Sequence, residues 1–155
     1  MDAEITMYLQ AIEGSMDRVL ACLHGLNYDA IRWQPLPSAN CLAAIARHTL
    51  ANAERNVLGT FAGEPYDWRR DDEFLAEGES GESLAASWAG LRERIDHALE
   101  SIPATSLDAV RHHPRMGEVT GRAVLLQAAR HAAEHVGEAE LTRALLRALS
   151  EANRS

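Results

Sequence analysis

The chain has no lysine: all fifteen of its basic residues are arginine. That rules out Schiff-base chemistry, which needs a lysine amine, and the all-arginine usage reads as coding bias. Basic residues are also few overall. Against 23 acidic side chains they leave a net charge of −8, and no basic block is present, which argues against a nucleic-acid backbone as partner. Aromatic and β-branched residues are scarce, and no alternating apolar–polar stretch predicts a sheet. No apolar run reaches membrane-spanning length. The start, MDAEITMYLQ, has neither a basic nor an apolar segment of the secretory kind. With only Cys22 and Cys41, no disulfide framework is expected. Together these absences predict a cytoplasmic protein with reduced thiols, without membrane or nucleic-acid partners.

What is abundant is alanine, leucine, arginine and glutamate, all good helix formers. The 155 residues predict one domain, 1–155. Four long helices are expected. The first covers 2–24, with Ile5, Leu9, Ile12, Met16, Val19, Leu20 and Leu23 at helical spacing and Gly25 as its stop. A short helical turn over 27–34 precedes Pro35 and Pro37. The second helix starts after Ser38 or Asn40 and reaches Thr60. The third opens at Ser80 or Ser83, carries Leu84, Trp88, Leu91, Ile95 and Leu99, and is closed by Pro103. The fourth opens at Thr120 and runs to about Ser150. Two long connections, 63–81 and 104–119, separate them, the former with Trp68 and Phe74 as expected anchors. The pattern predicts an all-α four-helix bundle.

The fourth helix contains RHAAEHVGEAELTRALL. His131 and His135 stand four residues apart, so both imidazoles leave one helical face. Gln127, Glu138 and Thr142 share that face, and Glu134 sits at its edge. Two imidazoles so placed can ligate one cation such as zinc or nickel. Composition alone supplies roughly 0.3 such pairs in a chain with seven histidines, so the pair needs support. A solvated face, or a buried histidine bonded to a carbonyl, would produce the same spacing. Support comes from the second helix, where His48 lies in an apolar stretch with Cys41, Ala44, Ile45, Asn52 and Arg55 on its face. Three histidines would leave a coordination position open, the pattern of catalytic rather than structural sites. The string HAAEH also matches a metalloprotease pattern with Glu134 as base, but too little chain follows to supply that class's third ligand.

The stretches ARHTL around His48 and VTGRAVLLQAARHAAEHVGEAELTRALL in the last helix, with DDEFLAEGESGESLAASW between them, resemble the DinB/YfiT-like metal-dependent bundle family. The resemblance implies an up-up-down-down type bundle with one divalent metal held by His48, His131 and His135. Many relatives carry glutamine at the position of Glu138. The resemblance further implies thiol S-transfer with mycothiol or bacillithiol as cosubstrate, or a related isomerase or hydrolase activity, and a homodimer. A non-catalytic metal-binding or interaction module is the competing expectation. Asn52 and Arg55 are candidates to orient an anionic or polar substrate, with a salt bridge or solvated face as the ordinary alternative. Glu134 and Glu138 are candidates to support the histidines. His112 and His113 are expected on the surface of a loop, and His24 and His97 near helix C-termini. Cys41 reads as a small buried apolar residue, and Trp33, Trp68 and Trp88 as packing anchors.

Overall fold

The computed structural model describes residues 1–66 and 78–153. Trp68 and Phe74, the anchors expected in the first long connection, lie outside the described residues. Five α-helices are present in those residues: α1 (Ala3–Ala21), α2 (Tyr28–Arg32), α3 (Leu42–Ala53), α4 (Gly81–Leu99) and α5 (Gly121–Ala152). A π-helical segment, Glu54–Ala62, continues α3 directly. A short 3-10 turn, Ala104–Leu107, and a hairpin of β1 (Val110–His113) and β2 (Gly117–Thr120) lead from α4 into α5.

Each helix starts where its sequence offers an acceptor. The Asp2 carboxylate takes the Glu4 and Ile5 amides at 2.9 and 3.3 Å, and Asn27 caps α2. Both serines expected at the start of α4 are used: Ser80 caps, and Ser83 reciprocates from the third position. Thr120 caps α5. The cap of α3 is neither Ser38 nor Asn40 but Cys41, whose Sγ accepts the Ala44 amide at 3.5 Å. Gly25 ends the α1 turn with φ 72°, a conformation that costs glycine little. Helix α4 stops at Leu99, and Pro103 caps the 3-10 turn rather than the helix.

Cross-helix partners fix the helix directions. Arg122 meets Glu4 and Arg18 meets Glu140, so α1 and α5 run parallel. Trp88 bonds Asp17 and Arg92 bonds Glu13, so α4 runs against α1. Asn40 meets Glu138 and His48 meets His131, so α3 runs against α5. The four-helix bundle is as expected, but its chain order is up, down, down, up and not up-up-down-down, because α5 returns parallel to α1. One core fills it, built from the predicted positions Ile5, Leu9, Ile12, Met16 and Val19 of α1 with Leu84, Trp88, Leu91, Ile95 and Leu99 of α4. The buried sides of α3 and α5 mix large residues such as Leu42, Ile45 and Leu125 with small ones, among them Ala43, Ala46, Ala128 and Ala132. Small contact residues let helix axes approach closely, which is what brings side chains of α3 and α5 within reach of one another.

The hairpin departs from the sheet-free expectation. Val110 pairs with Thr120 and His113 with Gly117, and Gly117 turns the chain with φ 71°. Four-residue strands are too short for alternation to register. At the entry to α5, a Cβ on Gly121 would overlap the Ser106 carbonyl and stand 2.8 Å from the Phe61 ring, so only glycine fits there.

Candidate metal centre

The structure brings His48, His131 and His135 together. One ring nitrogen from each lies within 4.8 Å of the others, and the ring centroids are 4.5–4.9 Å apart. The His48 and His131 Nε2 atoms are separated by 3.1 Å. A tetrahedral cation with bonds of about 2.0–2.1 Å sets its ligand nitrogens roughly 3.3 Å apart. Two nitrogens on neighbouring helices, already at nearly that spacing, therefore fit a shared cation. His48 is buried, while His131 and His135 are partly exposed.

The third histidine is oriented by a carboxylate. His135 Nδ1–H donates to Glu138 Oε2 at 2.8 Å, which leaves the Nε2 lone pair for a metal. Glu138 is held in turn by Asn40 Nδ2 at 3.0 Å. The hydrogen bond from His135 holds the Glu138 carboxyl below its ordinary range, burial opposes this, and the Asn40 bond reinforces it. Such carboxylate–histidine pairs fix the ligand's tautomer and raise its basicity. Of the two supporting glutamates expected, only Glu138 touches a histidine. Glu134 is exposed and pairs with Arg130 at 2.8 Å along the helix surface.

Next to His131 a cavity of about 490 Å³ opens, lined mostly by polar side chains from four parts of the fold. Asn52 comes from α3, Arg55 and Asn56 from the π-helical segment, His113, Arg115 and Met116 from the hairpin and its turn, and Gln127, Arg130 and Glu134 from α5. Asn52 and Arg55 are 3% and 2% exposed, which sets aside the solvated-face alternative for both. The π-helical stretch runs directly on from this face, and such helices are rare and often functional. Asn56 there donates to the Asn52 carbonyl at 2.8 Å and to its side-chain oxygen at 2.9 Å.

His113 corrects a sequence expectation: it is 3% exposed, not a surface loop residue. Its Nδ1 accepts the Arg115 and Met116 amides at 3.0 and 3.1 Å, so its Nε2–H donates to Asn56 Oδ1 at 2.9 Å. Burial first, and then the nearby charges of Arg55 and Arg115, push its pKa below the ordinary value. His113 is thus a neutral brace between the π-helical segment and the hairpin turn. His112 does sit on the surface, beside Glu118 at 2.9 Å. His24 and His97 are exposed, as helix-end residues can be. Asn56 was discoverable in the sequence, one turn beyond Asn52 and two beyond His48. Arg115 and Met116 were not, because only the hairpin delivers them.

On the far side of Glu138 lies a larger apolar groove, about 750 Å³, which Trp33, Thr142 and Leu145 help to line. Trp88 is core, its indole N–H on Asp17 at 3.3 Å. Cys41 is only partly buried, and burial raises the pKa of Cys22. Among the described residues no helix is long and apolar enough to cross a membrane.

Comparison with known proteins bears on the family and the fold. The family model described as mycothiol-S-transferase matches residues 7–148. A search of curated proteins returned no match. Among solved structures, a conserved protein from Enterococcus faecalis is similar with a TM-score of 0.68 and 19% identity, over 96% of this chain and 99% of that one. A DinB-like protein from Bacillus cereus is similar with a TM-score of 0.69 and 16% identity, over 92% and 91%. At these identities the likeness concerns the fold.

Proposed function

The chain belongs to the mycothiol-S-transferase family, and on that premise we propose that it joins a low-molecular-weight thiol, mycothiol or bacillithiol, to a small electrophile. The observation that carries the proposal is the convergence of three imidazoles, one backed by a carboxylate, beside a polar cavity. His48, His131 and His135 would hold one divalent cation, zinc or nickel, both suited to imidazole ligands. The cation would supply Lewis acidity that favours the thiolate, the reactive form of the cosubstrate.

The chain's own groups do the rest. Glu138 holds His135 in the ligating tautomer, and Asn40 holds Glu138. Asn52 and Arg55 present polar groups to the cavity where the electrophile would lie. In the transfer the thiol loses its proton and its sulfur bonds to carbon. A halide leaves with its electron pair, or an opened epoxide or an unsaturated acid takes up the pair and a proton. The same site would serve a thiol-dependent isomerase, or a hydrolase with water in place of the thiol. A homodimer is part of the proposal, tested by sedimentation.

The test starts from protein purified without a histidine tag. Elemental analysis is expected to find a divalent metal in the wild type and little in His131→Ala. Thiol consumption with mycothiol or bacillithiol and monochlorobimane should exceed that of an EDTA-treated control. A metal-loaded protein that consumes neither thiol would overturn the transferase reading in favour of a non-catalytic metal module.

A further inference from the structure

We propose that Asn52 selects the electrophile by donating a hydrogen bond from its Nδ2 to an oxygen of that molecule, and that His113 and Asn56 are positioning residues that fix it in this orientation. The proposal rests on the cavity beside His131 being where the electrophile binds. It names the feature an electrophile must carry there: an accepting oxygen, which the carbonyl of an unsaturated acid supplies and a simple haloalkane does not.

The first argument is the direction of each hydrogen bond, which two backbone anchors determine. At one end, the amides of Arg115 and Met116 stand 3.0 and 3.1 Å from His113 Nδ1. A backbone amide only donates, so Nδ1 carries no proton and the proton of the neutral ring is on Nε2. Nε2–H meets the Asn56 side chain at 2.9 Å, and the atom it meets must be the oxygen. Asn56 therefore turns its Nδ2 the other way. At the other end, that nitrogen lies 2.8 Å from the main-chain carbonyl of Asn52, which only accepts. The two ends agree. The same nitrogen is 2.9 Å from the Asn52 side chain, where it takes Oδ1. What Asn52 has left for the cavity is Nδ2.

The second argument is placement. Asn52 is 3% exposed and lines the cavity together with His131. Among the described residues no group accepts from its Nδ2. It follows His48 by one helical turn, which sets the two side chains on one face with their Cβ atoms about 5–6 Å apart. A side-chain amide free to turn over offers a ligand either a donor or an acceptor. One tied at its oxygen offers only the donor, and the bonds through Asn56 and His113 reach two further parts of the fold, the π-helical segment and the hairpin turn. A fixed donor in a buried wall discriminates by what happens when it is not met. A ligand without an acceptor displaces water from Nδ2 and leaves it unpaired, which is the costly outcome. The preference depends on no surplus of charge in the cavity, since donor and acceptor are both neutral groups.

The test uses the full chain isotopically labelled in nitrogen, stripped with EDTA, free of thiol and at mildly alkaline pH. Ring-nitrogen spectra should show His113 in the Nε2–H form, assigned by its loss in His113→Gln. N-methylsuccinimide, a neutral and unreactive molecule whose carbonyl oxygens only accept, should shift the Asn52 Nδ2 signals saturably. Those signals are assigned by their loss in Asn52→Asp. That variant keeps the shape of the side chain and an oxygen for Asn56, but turns a second oxygen to the cavity. It should weaken N-methylsuccinimide at least fivefold and leave the amide signal of Met16, fully buried in the core, in place. The proposal is overturned if His113 is in the Nδ1–H form, if the Asn52 signals do not respond, or if Asn52→Asp binds the probe as the wild type does. The first two readings come from the wild-type protein, so they decide the matter even where the variant fails to fold. Since neither metal nor thiol is present, a failure here is distinct from a failure of thiol transfer.

Discussion

Metal addition to the stripped protein should raise its melting temperature, and Glu138→Gln should shrink that rise without abolishing it. A ligand that binds only the folded state at a hundred times its dissociation constant stabilises by about 2.7 kcal/mol. For a domain of this length, each kcal/mol moves the melting temperature by about 2–4 °C, so wild-type protein should gain about 5–11 °C. Glu138 reaches the cation only through His135 Nδ1, at 2.8 Å. Removal of such a supporting partner typically costs 10–100-fold in metal affinity. At the same metal concentration the stabilisation then falls to about 1.4 kcal/mol at the tenfold limit and about 0.4 kcal/mol at the hundredfold limit. The glutamine variant should therefore keep half of the wild-type rise or less, and His131→Ala should keep almost none. The assay is differential scanning fluorimetry with zinc and with nickel, each variant compared with its own EDTA-treated form so that changes in apo stability cancel. A full wild-type shift in Glu138→Gln would refute the chain Asn40–Glu138–His135 as support for the site, and no shift in the wild type would refute the site itself.

Three further outcomes follow from packing, capping and titration. Gly121→Ala places a Cβ against the Ser106 carbonyl and 2.8 Å from the Phe61 ring; overpacking of this kind costs about 1–3 kcal/mol, to be read from urea midpoints. Cys41→Ser replaces a weak 3.5 Å sulfur acceptor at the start of α3 with a preferred cap, and should stabilise by about 0.5–1 kcal/mol in the same assay. His113 has a depressed pKa in the folded state, so on acidification the unfolded chain takes the proton first. The stability it confers is present above its ordinary value of 6.5 and is lost as pH falls toward the folded pKa. His113→Gln in EDTA should accordingly show a shallower loss of unfolding free energy between pH 7.5 and 5.5 than the wild type, and an equal slope would contradict the brace.

The long helices could be read because each carries its own evidence in local spacing. Ile5, Leu9, Ile12, Met16 and Val19 form a stripe that packs as the period requires, and Ser80 with Ser83 forms the capping box that their spacing allows. The cap of α3 was misread because thiols are poor acceptors, whereas Ser38 and Asn40 are good ones. Here Cys41 occupies the capping position with extended backbone angles, and the better acceptors stand outside it. The π-helical segment left no mark, since its one-residue difference in hydrogen-bond period barely moves a buried face made of Val57, Leu58 and Phe61. The hairpin's strands are too short to show a pattern, and its tip is anchored through a non-local contact, His113 to Asn56, 57 residues away.

The same distinction divides the site into two halves. The metal half is written in local pattern: His131 and His135 one turn apart on α5, and His48 on a face of α3 whose small neighbours let the two helices approach. The cavity half depends on where the chain returns after α4. Arg115 looks like an ordinary exposed loop arginine in the sequence, and His113 like its neighbour His112. Only the hairpin's register separates them, turning His113 inward to Asn56 and leaving His112 beside Glu118 at the surface. A segment that reaches the histidines through a four-residue strand and a glycine turn can change its side chains without disturbing the bundle that holds them. Substitutions at Arg115 or Met116 should therefore alter ligand preference while leaving metal affinity in place, and substitutions at Asn40 or Glu138 should do the reverse.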